Sequence, residues 1–374
     1  MRPEPGEFSS PALHEHLSCE LLLTTFCNME CVYCIAGDLP HSTMSIEAGR
    51  KAIDMFIDLA RGATSLEVIF TGGEPLLGFT TLKELTLYAQ QRANEAGANI
   101  CFVIKTNGTI LNRTIIDFLD ANSIRLVISI DGTVENHDKY RKDPAGNGTH
   151  HIVSRNLKVA LQNAIPCVAS ITVHPSVCKT AIDSVRYLHN LGVEQIDLGP
   201  AYGTVTWTTS ESLAFSKSMH DVARYMRTMA DTGKNLEVGP IYRESEHIGG
   251  TLSGYWGCGA LSTNIAFMPN GQITGCSALA MLTPRYPKLV LGDVWKGLEA
   301  HAIDHLFQLV QAGIQERVSC QRCESATNCK GGCLAINYST TALPFTPPEF
   351  YCRIIRSIPS AWETAWGKQE RLPF

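Results

Sequence analysis

The sequence contains no apolar run long enough to span a bilayer, and residues 1–20 are polar and contain proline, unlike a secretion signal. It also lacks an excess of basic residues, because its formal net charge is −5. That charge argues against nucleic acid or an anionic membrane as a partner. The 374 residues have an ordinary apolar content, enough for one large domain and a smaller one. We therefore expect a cytoplasmic globular protein with no membrane and no nucleic-acid partner.

Cysteine is abundant, with 14 residues. In a chain without a secretion signal, disulfides are disfavoured, and metal or cluster ligation is the better interpretation. Cys27, Cys31 and Cys34 follow the apolar residues 21–23 at spacings of x3 and x2. Three thiolates in one short loop favour a soft metal, and an iron–sulfur cubane with only three protein ligands would keep one iron open. The alternatives are a zinc knuckle or buried thiols, but no partner Cys-x2-Cys pair lies nearby.

Apolar periodicity predicts six strand–helix units, and Ser45 is the expected N-cap of the first helix. The predicted strands and the helices that follow them are 21–24 and 45–61, 66–70 and 80–96, 100–105 and 112–121, 125–130 and 151–162, 167–173 and 179–190, and 195–198 and 211–230. Alternating units imply a parallel sheet, and six are too few for a closed eight-fold barrel. We therefore predict an α/β fold with an open, partial (β/α)6 barrel, whose chemistry lies at the carboxyl ends of the strands.

Polar motifs follow the first four predicted strands, where a parallel sheet gathers its functional groups. In chain order they are the cysteine loop, Gly72-Gly73-Glu74-Pro75, Thr106-Asn107, and Ser129 and Asp131 with Arg141 after a His-Asp pair. Two glycines let a backbone approach a ligand closely, and an arginine fork matches a carboxylate. The plainer alternatives are an ordinary glycine turn and a surface ion pair between Asp131 and Arg141.

The Cys-x3-Cys-x2-Cys loop with Tyr33 before its last Cys, together with these strand-end motifs, resembles the radical S-adenosylmethionine (SAM) superfamily. The resemblance implies the partial barrel and a [4Fe–4S] cluster on Cys27, Cys31 and Cys34, whose open iron is chelated by SAM. Reductive cleavage of SAM would then release a 5′-deoxyadenosyl radical. The implied SAM contacts are Tyr33, the turn of Gly72, Gly73, Glu74 and Pro75 around the amino group, Thr106, Asn107, Ser129 near the ribose or methionyl part, Asp131, and Arg141 facing the carboxylate.

A second cysteine field follows a glycine-containing bridge at 236–257. Cys258 and Cys276 bracket a predicted hairpin, since Asn270-Gly271 separates two apolar runs. Its remaining cysteines are Cys320, Cys323, Cys329, Cys333 and Cys352. Two structural zinc sites are the alternative for this field.

The order and spacing of these seven cysteines resemble the SPASM domain of radical SAM enzymes. The resemblance implies two auxiliary [4Fe–4S] clusters, and so three clusters in all. The first would be held by Cys258, Cys276 and Cys333, and the second by Cys320, Cys323, Cys329 and Cys352. Because residues 260–267 contain no Cys where many relatives have one, the first auxiliary cluster is expected to keep an open iron or take a non-Cys ligand.

The predicted organisation is an N-terminal arm at 1–18, the barrel at 19–235, the bridge at 236–257, the SPASM domain at 258–356 and a tail at 357–374. Cys101 and Cys167 lie in predicted strands and are expected in the core. Cys19 and Cys178 lie near element ends and are expected to be core or incidental residues, with a catalytic thiol that donates a hydrogen atom as the alternative. His150 and His151 are predicted at the surface, as are His301 and His305.

SPASM relatives mostly modify peptides or proteins, so the expected substrate is a peptide. We favour a maturase that installs a carbon–carbon or thioether cross-link in a ribosomally made peptide. The alternatives are an anaerobic sulfatase maturase, modification of a small molecule such as a sugar, and a non-catalytic zinc scaffold. Sulfatase maturases carry an acidic residue after the Cys that closes the hairpin, where this chain has Ser277. One expected partner is a flavodoxin or ferredoxin as electron donor. Because no peptide-recognition domain precedes the barrel, we expect either a separate leader-peptide-binding protein or recognition of the substrate by the barrel mouth and the bridge.

Overall fold

The structure is a computed structural model that describes residues 16–242, 260, 263–302, 318–329 and 331–367. Cys258, His305, most of the predicted arm and bridge, and residues 368–374 of the predicted tail lie outside the described residues. None of the described helices is both long and apolar enough to cross a membrane.

The strands are β1 (His16–Thr24), β2 (Ser65–Gly72), β3 (Asn99–Thr106), β4 (Arg125–Ser129), β5 (Cys167–Val173), β6 (Gln195–Pro200), β7 (Glu237–Gly239), β8 (Asn264–Phe267), β9 (Gln272–Thr274), β10 (Gly292–Asp293) and β11 (Gly297–Leu298). The helices are α1 (Ile46–Leu59), α2 (Phe79–Ala96), α3 (Arg113–Ala121), α4 (Val134–Asp138), α5 (His150–Gln162), α6 (Ala181–Asn190), α7 (Thr209–Asp231), α8 (Ser277–Ala280), α9 (Val318–Gln321), α10 (Ala326–Cys329), α11 (Leu334–Thr341) and α12 (Glu349–Trp366). All six predicted strand–helix units and the predicted hairpin are therefore present.

The sheet has 11 strands in the order β11-β10-β9-β8-β1-β2-β3-β4-β5-β6-β7. Strands β1 to β7 pair parallel in sequence order, as six successive crossovers require. The predicted open α/β barrel is confirmed, because the described strands run in a linear order that does not close. It gains a seventh parallel strand, β7, inside the region predicted as a bridge.

The hairpin of β8 and β9 continues this sheet. Strand β8 pairs parallel with β1, with Cys19 opposite Ile265, and β9 and β10 then extend the sheet by antiparallel pairing. Strand β1 therefore connects the two cysteine regions: the cysteine loop follows it in sequence, and the hairpin of the second cysteine field pairs with it.

The helices form where the sequence supplies caps and apolar stripes. Ser45 accepts a hydrogen bond from the Ala48 N–H, which confirms the predicted N-cap. Helix α7 begins with a capping box between Thr208 and Glu211 and buries an apolar stripe that includes Met219. The C-terminal helix α12 packs on α7.

Some of the expected burials are wrong. Cys101 is exposed, because its side chain leaves the core face of β3, whereas Cys167 is half-buried and packs against the core as expected. Cys19 is fully buried, because it faces the core. His150 is also buried, with its Nε2 3.0 Å from the Gly132 carbonyl oxygen, whereas His151 is exposed as predicted.

Candidate active site

The loop after β1 places Cys27, Cys31 and Cys34 at the carboxyl end of the sheet. Two backbone hydrogen bonds dock this loop on the segment after α4: the Glu30 N–H donates to the Lys142 carbonyl at 2.8 Å, and the Val32 N–H donates to the Tyr140 carbonyl at 2.9 Å. Cys27 and Cys34 are exposed and Cys31 is half-buried. The three thiols are therefore held together at a surface that a cofactor can reach.

The Gly72-Gly73 turn packs against the entry to the cysteine loop. The Gly73 N–H donates to the Thr24 carbonyl at 2.7 Å. A Cβ on Gly73 would lie 2.1 Å from the Phe26 carbonyl oxygen, which no side chain tolerates. The sequence predicted glycines for close approach to a ligand, whereas the close approach seen here is to the backbone of the loop itself.

Glu74 ties the ends of β2 and β3 together. It is fully buried, and its carboxylate accepts hydrogen bonds from the Leu76 N–H at 2.9 Å, the Thr106 hydroxyl at 2.8 Å and the Asn107 N–H at 2.7 Å. Burial raises its pKa, and these three donors oppose that rise. Glu74 therefore fixes the two strand ends, and its contact with the SAM amino group stays a prediction.

Asn107 connects β3 to the cysteine loop. Its side-chain amide donates to Asn28 Oδ1 at 2.8 Å and lies 3.7 Å from Cys27 Sγ. Its Oδ1 accepts from the Thr109 hydroxyl at 2.7 Å. Asn107 is therefore a neighbour of a cluster thiol, and the amide groups of Asn28 and Asn107 orient each other.

Asp131 is the most connected carboxylate of the site. It accepts a hydrogen bond from the Tyr33 hydroxyl, another from the Thr172 N–H at 2.9 Å, and lies 3.0 Å from Arg141 Nε. Both members of this ion pair are buried, so the alternative of a surface ion pair is wrong. Ser129 precedes Asp131 at the end of β4, where it is half-buried and its hydroxyl has no hydrogen-bond partner among the described residues.

Arg141 also acts on the cysteine loop. Its guanidinium lies 5.4 Å from the centre of the Tyr33 ring, a cation–π contact. Burial raises the pKa of the Cys31 thiol to about 11, and the Arg141 charge opposes that rise. Burial likewise raises the pKa of Cys27, which the Asn107 amide opposes. A cluster that binds here displaces these protons, because thiolates are the ligands.

In the C-terminal region, four of the predicted ligands line one small pocket. They are Cys320, Cys323, Cys329 and Cys352, joined in the lining by Arg356. Burial is the largest cause of the raised pKa of Cys352, at about 11, and the neighbouring thiols add to it. Loops and helices far apart in sequence thus bring together the four cysteines assigned to one auxiliary cluster.

Cys276 and Cys333 begin two helices that contact each other, α8 and α11. The segment after Cys276 is anchored to the barrel, because the Ser277 N–H donates to Glu20 Oε2 at 2.5 Å. Glu20 is buried on β1 and also bonds Lys105 Nζ at 2.6 Å. No motif singled out Glu20, although a glutamate inside an apolar strand is a sequence signal for a buried partner.

A cavity of about 700 Å³ lies between the two cysteine regions. One wall contains Tyr33 and Cys34, and another contains Tyr351 and Ile355 of α12. Ile355 also lines the four-cysteine pocket, so a single helix separates the cavity from those thiols. The lining of the cavity is mostly apolar. Among the described residues that line it, Asp197 on β6 carries a carboxylate.

The donor sets fit iron–sulfur clusters. Within the described ranges, no three His, Cys, Asp or Glu converge closely enough to hold one metal ion. Each thiolate of a cubane binds a different iron, so its ligands need not converge on one point. Sulfur-only donor sets at the loop and in the pocket agree with this chemistry.

Comparison with known families matches residues 21–188 to the Radical SAM superfamily. An uncharacterized protein of Methanocaldococcus jannaschii is 29% identical over 176 residues, which are 47% of this chain and 59% of that protein. The chain therefore covers less than two thirds of this relative. A serine-type anaerobic sulfatase-maturating enzyme of Klebsiella aerogenes is 24% identical over 83% of this chain and 77% of its own.

Solved structures show the same fold. The structure of native anSMEcpe with bound AdoMet and the Kp18Cys peptide has a TM-score of 0.77 at 18% identity, covering 94% of this chain and 99% of that one. Streptococcus suis SuiB bound to S-adenosylmethionine has a TM-score of 0.64 at 14% identity, covering 90% of this chain and 77% of that one.

Proposed function

We propose, on the premise that this chain is a radical SAM enzyme of the SPASM type, that it is a maturase that installs an oxidative cross-link in a ribosomally made peptide. The cross-link would be a carbon–carbon or thioether bond. The observation that carries the proposal is the cavity of about 700 Å³, which has the cysteine loop in one wall and the helix bearing Cys352 in another. A peptide segment in this cavity would lie between the two cysteine regions.

The proposal assigns three [4Fe–4S] clusters. Cys27, Cys31 and Cys34 would hold the one that binds SAM, and the two C-terminal cysteine sets would hold auxiliary clusters. When bound, these groups supply a carbon radical that removes a hydrogen atom from an unactivated C–H bond, and an acceptor for the second electron. The four-cysteine pocket supports the assignment of the second auxiliary cluster.

The chain's own residues would orient SAM and exclude water. Tyr33, Asp131 and Arg141 form one buried network beside Cys31, which holds the loop in a single geometry. Ser129 offers an available hydroxyl at the same edge of the sheet, and we assign it the predicted SAM contact. Gly72, Gly73, Glu74, Pro75, Thr106 and Asn107 would act mainly by fixing this frame.

A peptide partner agrees with the neighbours of this fold. The anSMEcpe structure contains the Kp18Cys peptide, and SuiB has been solved bound to its precursor peptide SuiA. These neighbours support the proposed peptide substrate. We also propose a flavodoxin or ferredoxin as electron donor and a separate leader-peptide-binding protein.

Formylglycine formation is the second candidate, because sulfatase-maturating enzymes match over most of the chain. The residue after Cys276 argues against it, since Ser277 has no carboxylate and its N–H is committed to Glu20. Asp197 supplies a carboxylate elsewhere in the cavity wall, which keeps this candidate chemically possible.

The cofactor assignment is tested by iron and labile sulfide per chain after anaerobic reconstitution. About twelve irons are expected for three cubanes. Cys27→Ala should lose cleavage of SAM to 5′-deoxyadenosine and keep about eight irons. If the wild-type protein contains about four irons together with zinc, the assignment of auxiliary clusters is wrong and the C-terminal cysteines hold structural zinc.

The reaction is tested by incubating the reduced enzyme and SAM with peptides encoded beside its gene and, separately, with a sulfatase-derived peptide. A cross-link removes two hydrogen atoms and leaves no group that reacts with an aldehyde-trapping hydrazide. If the enzyme gives a hydrazide-reactive product with the sulfatase-derived peptide and no cross-link with the other peptides, its reaction is formylglycine formation.

A further inference from the structure

The side-chain amide of Asn107 lies against Cys27, the first cysteine of the loop after β1. Asn107 directly follows β3 and is buried, and its backbone N–H donates to Glu74 Oε2 at 2.7 Å. Its Nδ2 is 3.7 Å from Cys27 Sγ and forms a hydrogen bond to that sulfur. The Met29 N–H is another donor to the same thiol. Two N–H groups of the protein are therefore directed at the Cys27 sulfur.

Neighbouring groups fix the orientation of this amide. The Thr109 backbone N–H, which can only donate, lies 3.0 Å from Asn107 Oδ1, and the Thr109 hydroxyl donates to the same oxygen at 2.7 Å. The amide atom that faces Cys27 is therefore the nitrogen. Asn28 closes a ring of three side chains, because its Oδ1 accepts from Asn107 Nδ2 at 2.8 Å and its Nδ2 donates to the Thr109 hydroxyl oxygen at 2.9 Å.

These contacts use the full hydrogen-bonding capacity of the Asn107 amide. Its oxygen accepts two hydrogen bonds from Thr109. Its nitrogen carries two protons, of which one goes to Asn28 and the other to Cys27. A direct SAM contact through this amide would need one of these bonds to break. The arrangement favours an action of Asn107 on the cysteine sulfur.

We propose that Asn107 donates a hydrogen bond to the Cys27 thiolate of the SAM-binding cluster and raises the reduction potential of that cluster. This inference rests on the proposed function, which assigns the cluster to Cys27, Cys31 and Cys34. One electron from the flavodoxin or ferredoxin adds one negative charge to the cluster. A hydrogen bond to a ligand sulfur stabilises that charge, so reduction becomes easier. Asn107 would act through Cys27 as a positioning residue.

The test is a redox titration of the reconstituted protein, followed by electron paramagnetic resonance. The SAM-binding cluster is identified as the one whose signal changes when SAM is added. Asn107→Leu removes the donor, whereas Asn107→Asp keeps an acceptor for Thr109 and places an anionic oxygen beside Cys27. The midpoint should shift to a more negative potential in Asn107→Leu and further in Asn107→Asp. A residue that only holds the loop would give the opposite order, because Asp preserves the Thr109 bonds.

Asn136→Leu is the matched control. Asn136 is also buried, and its Nδ2 donates to the hydroxyl oxygens of Thr180 at 3.1 Å and Ser184 at 2.8 Å. This variant loses a buried amide of the same kind, whose partners are hydroxyl oxygens and not sulfur, and should keep the wild-type midpoint. Equal shifts in Asn107→Leu and Asn136→Leu, or wild-type midpoints in both Asn107 variants, would overturn the role of Asn107.

A second measurement needs no substitution of Asn107. Wild-type protein labelled with ¹⁵N in its asparagine side chains should show a ¹⁵N coupling in the pulsed resonance spectrum of the reduced SAM-binding cluster. Absence of that coupling would overturn the hydrogen bond, even where an Asn107 variant fails to hold iron. Cys27→Ala should lose the signal that responds to SAM. If the signal remains in Cys27→Ala, the cluster assignment in the proposed function is itself wrong.

Discussion

Asp131 holds the cysteine loop, β5 and Arg141 together through one carboxylate. Replacing it with Asn keeps the shape of the side chain but removes the charge that compensates a buried guanidinium. We expect Asp131→Asn to lower the free energy of unfolding by about 3–5 kcal/mol, the range found when a buried ion pair loses one partner. Urea denaturation of the anaerobic protein measures this change.

Asp117→Asn is the matched control. Asp117 also pairs with an arginine, with its Oδ1 2.7 Å from Arg113 Nη2, but both side chains are mostly exposed. That substitution should change the free energy of unfolding by less than about 1 kcal/mol. Equal losses in the two variants would show that burial does not set the strength of the Asp131–Arg141 pair.

His137 provides a prediction about pH. Burial, followed by the charges of Arg141 and His150, lowers its pKa to about 2. Its Nδ1 lies 3.2 Å from the Asp131 backbone nitrogen, which makes it the acceptor of that N–H, and its Nε2 lies 3.0 Å from the Thr149 hydroxyl. Below the unfolded pKa of about 6.5, the unfolded chain binds a proton that the folded chain excludes, so stability falls as the pH drops from there towards 2.

The slope contributed by His137 should approach about 1.4 kcal/mol per pH unit in that window. His137→Gln should make the pH dependence of the unfolding free energy correspondingly shallower between pH values of about 6 and 4. His151→Gln, at an exposed position of α5, should keep the wild-type slope. An unchanged slope in His137→Gln would indicate that His137 is protonated in the folded protein.

At the residue scale, motif spacing predicted which side chains lie near the cysteine loop. It did not predict the hydrogen-bond partners of those side chains. Asn107 and Arg141 lie beside the cysteine loop, as their strand-end positions indicated. The commitment of Glu74 to three donors was not predictable, because hydrogen-bond partners on neighbouring strands depend on register.

At the element scale, the turn after β2 must lie directly on the cysteine loop. Gly73→Ala would place a Cβ 2.1 Å from the Phe26 carbonyl oxygen and force the two segments apart. We expect that variant to lose the iron of the N-terminal cluster while keeping the C-terminal iron. Iron analysis of the reconstituted protein measures the loss.

Gly78→Ala is the corresponding control, because Gly78 lies in the same connection between β2 and α2. A Cβ on Gly78 meets no atom within 4 Å, and its φ of −98° suits any residue. This variant should retain full iron loading. Equal iron loss from both variants would mean that the connection needs flexible glycines and not close contact.

Elements with an apolar period or a turn signal were predictable, whereas strand β7 has neither and was not. Helix α1 and strand β5 repeat their apolar residues often enough for the period to identify them. Strand β7 has three residues, Glu237–Gly239, and is a strand only because it pairs with β6. A segment of that length has no period of its own.

At the scale of the whole molecule, the hairpin shares its sheet with the barrel through β1. Residues of β8 pair with Ser18 to Leu21 of β1, so both strands should open together. Hydrogen exchange should therefore give the backbone amides of β8 about the same protection as those of β1. The two-residue edge strand β11 serves as the internal reference and should exchange faster. Fast exchange in β8 alone would show that the hairpin opens independently.

The sequence by itself determined the spacing of the cysteines, the six strand–helix units and the edge of the sheet where the candidate site lies, because these follow from spacing and periodicity along the chain. Only the tertiary structure decided that β8 joins β1 and that four distant cysteines line one pocket. These are contacts between residues far apart in sequence. They depend on how the folded segments pack, and no local pattern of residues specifies that packing.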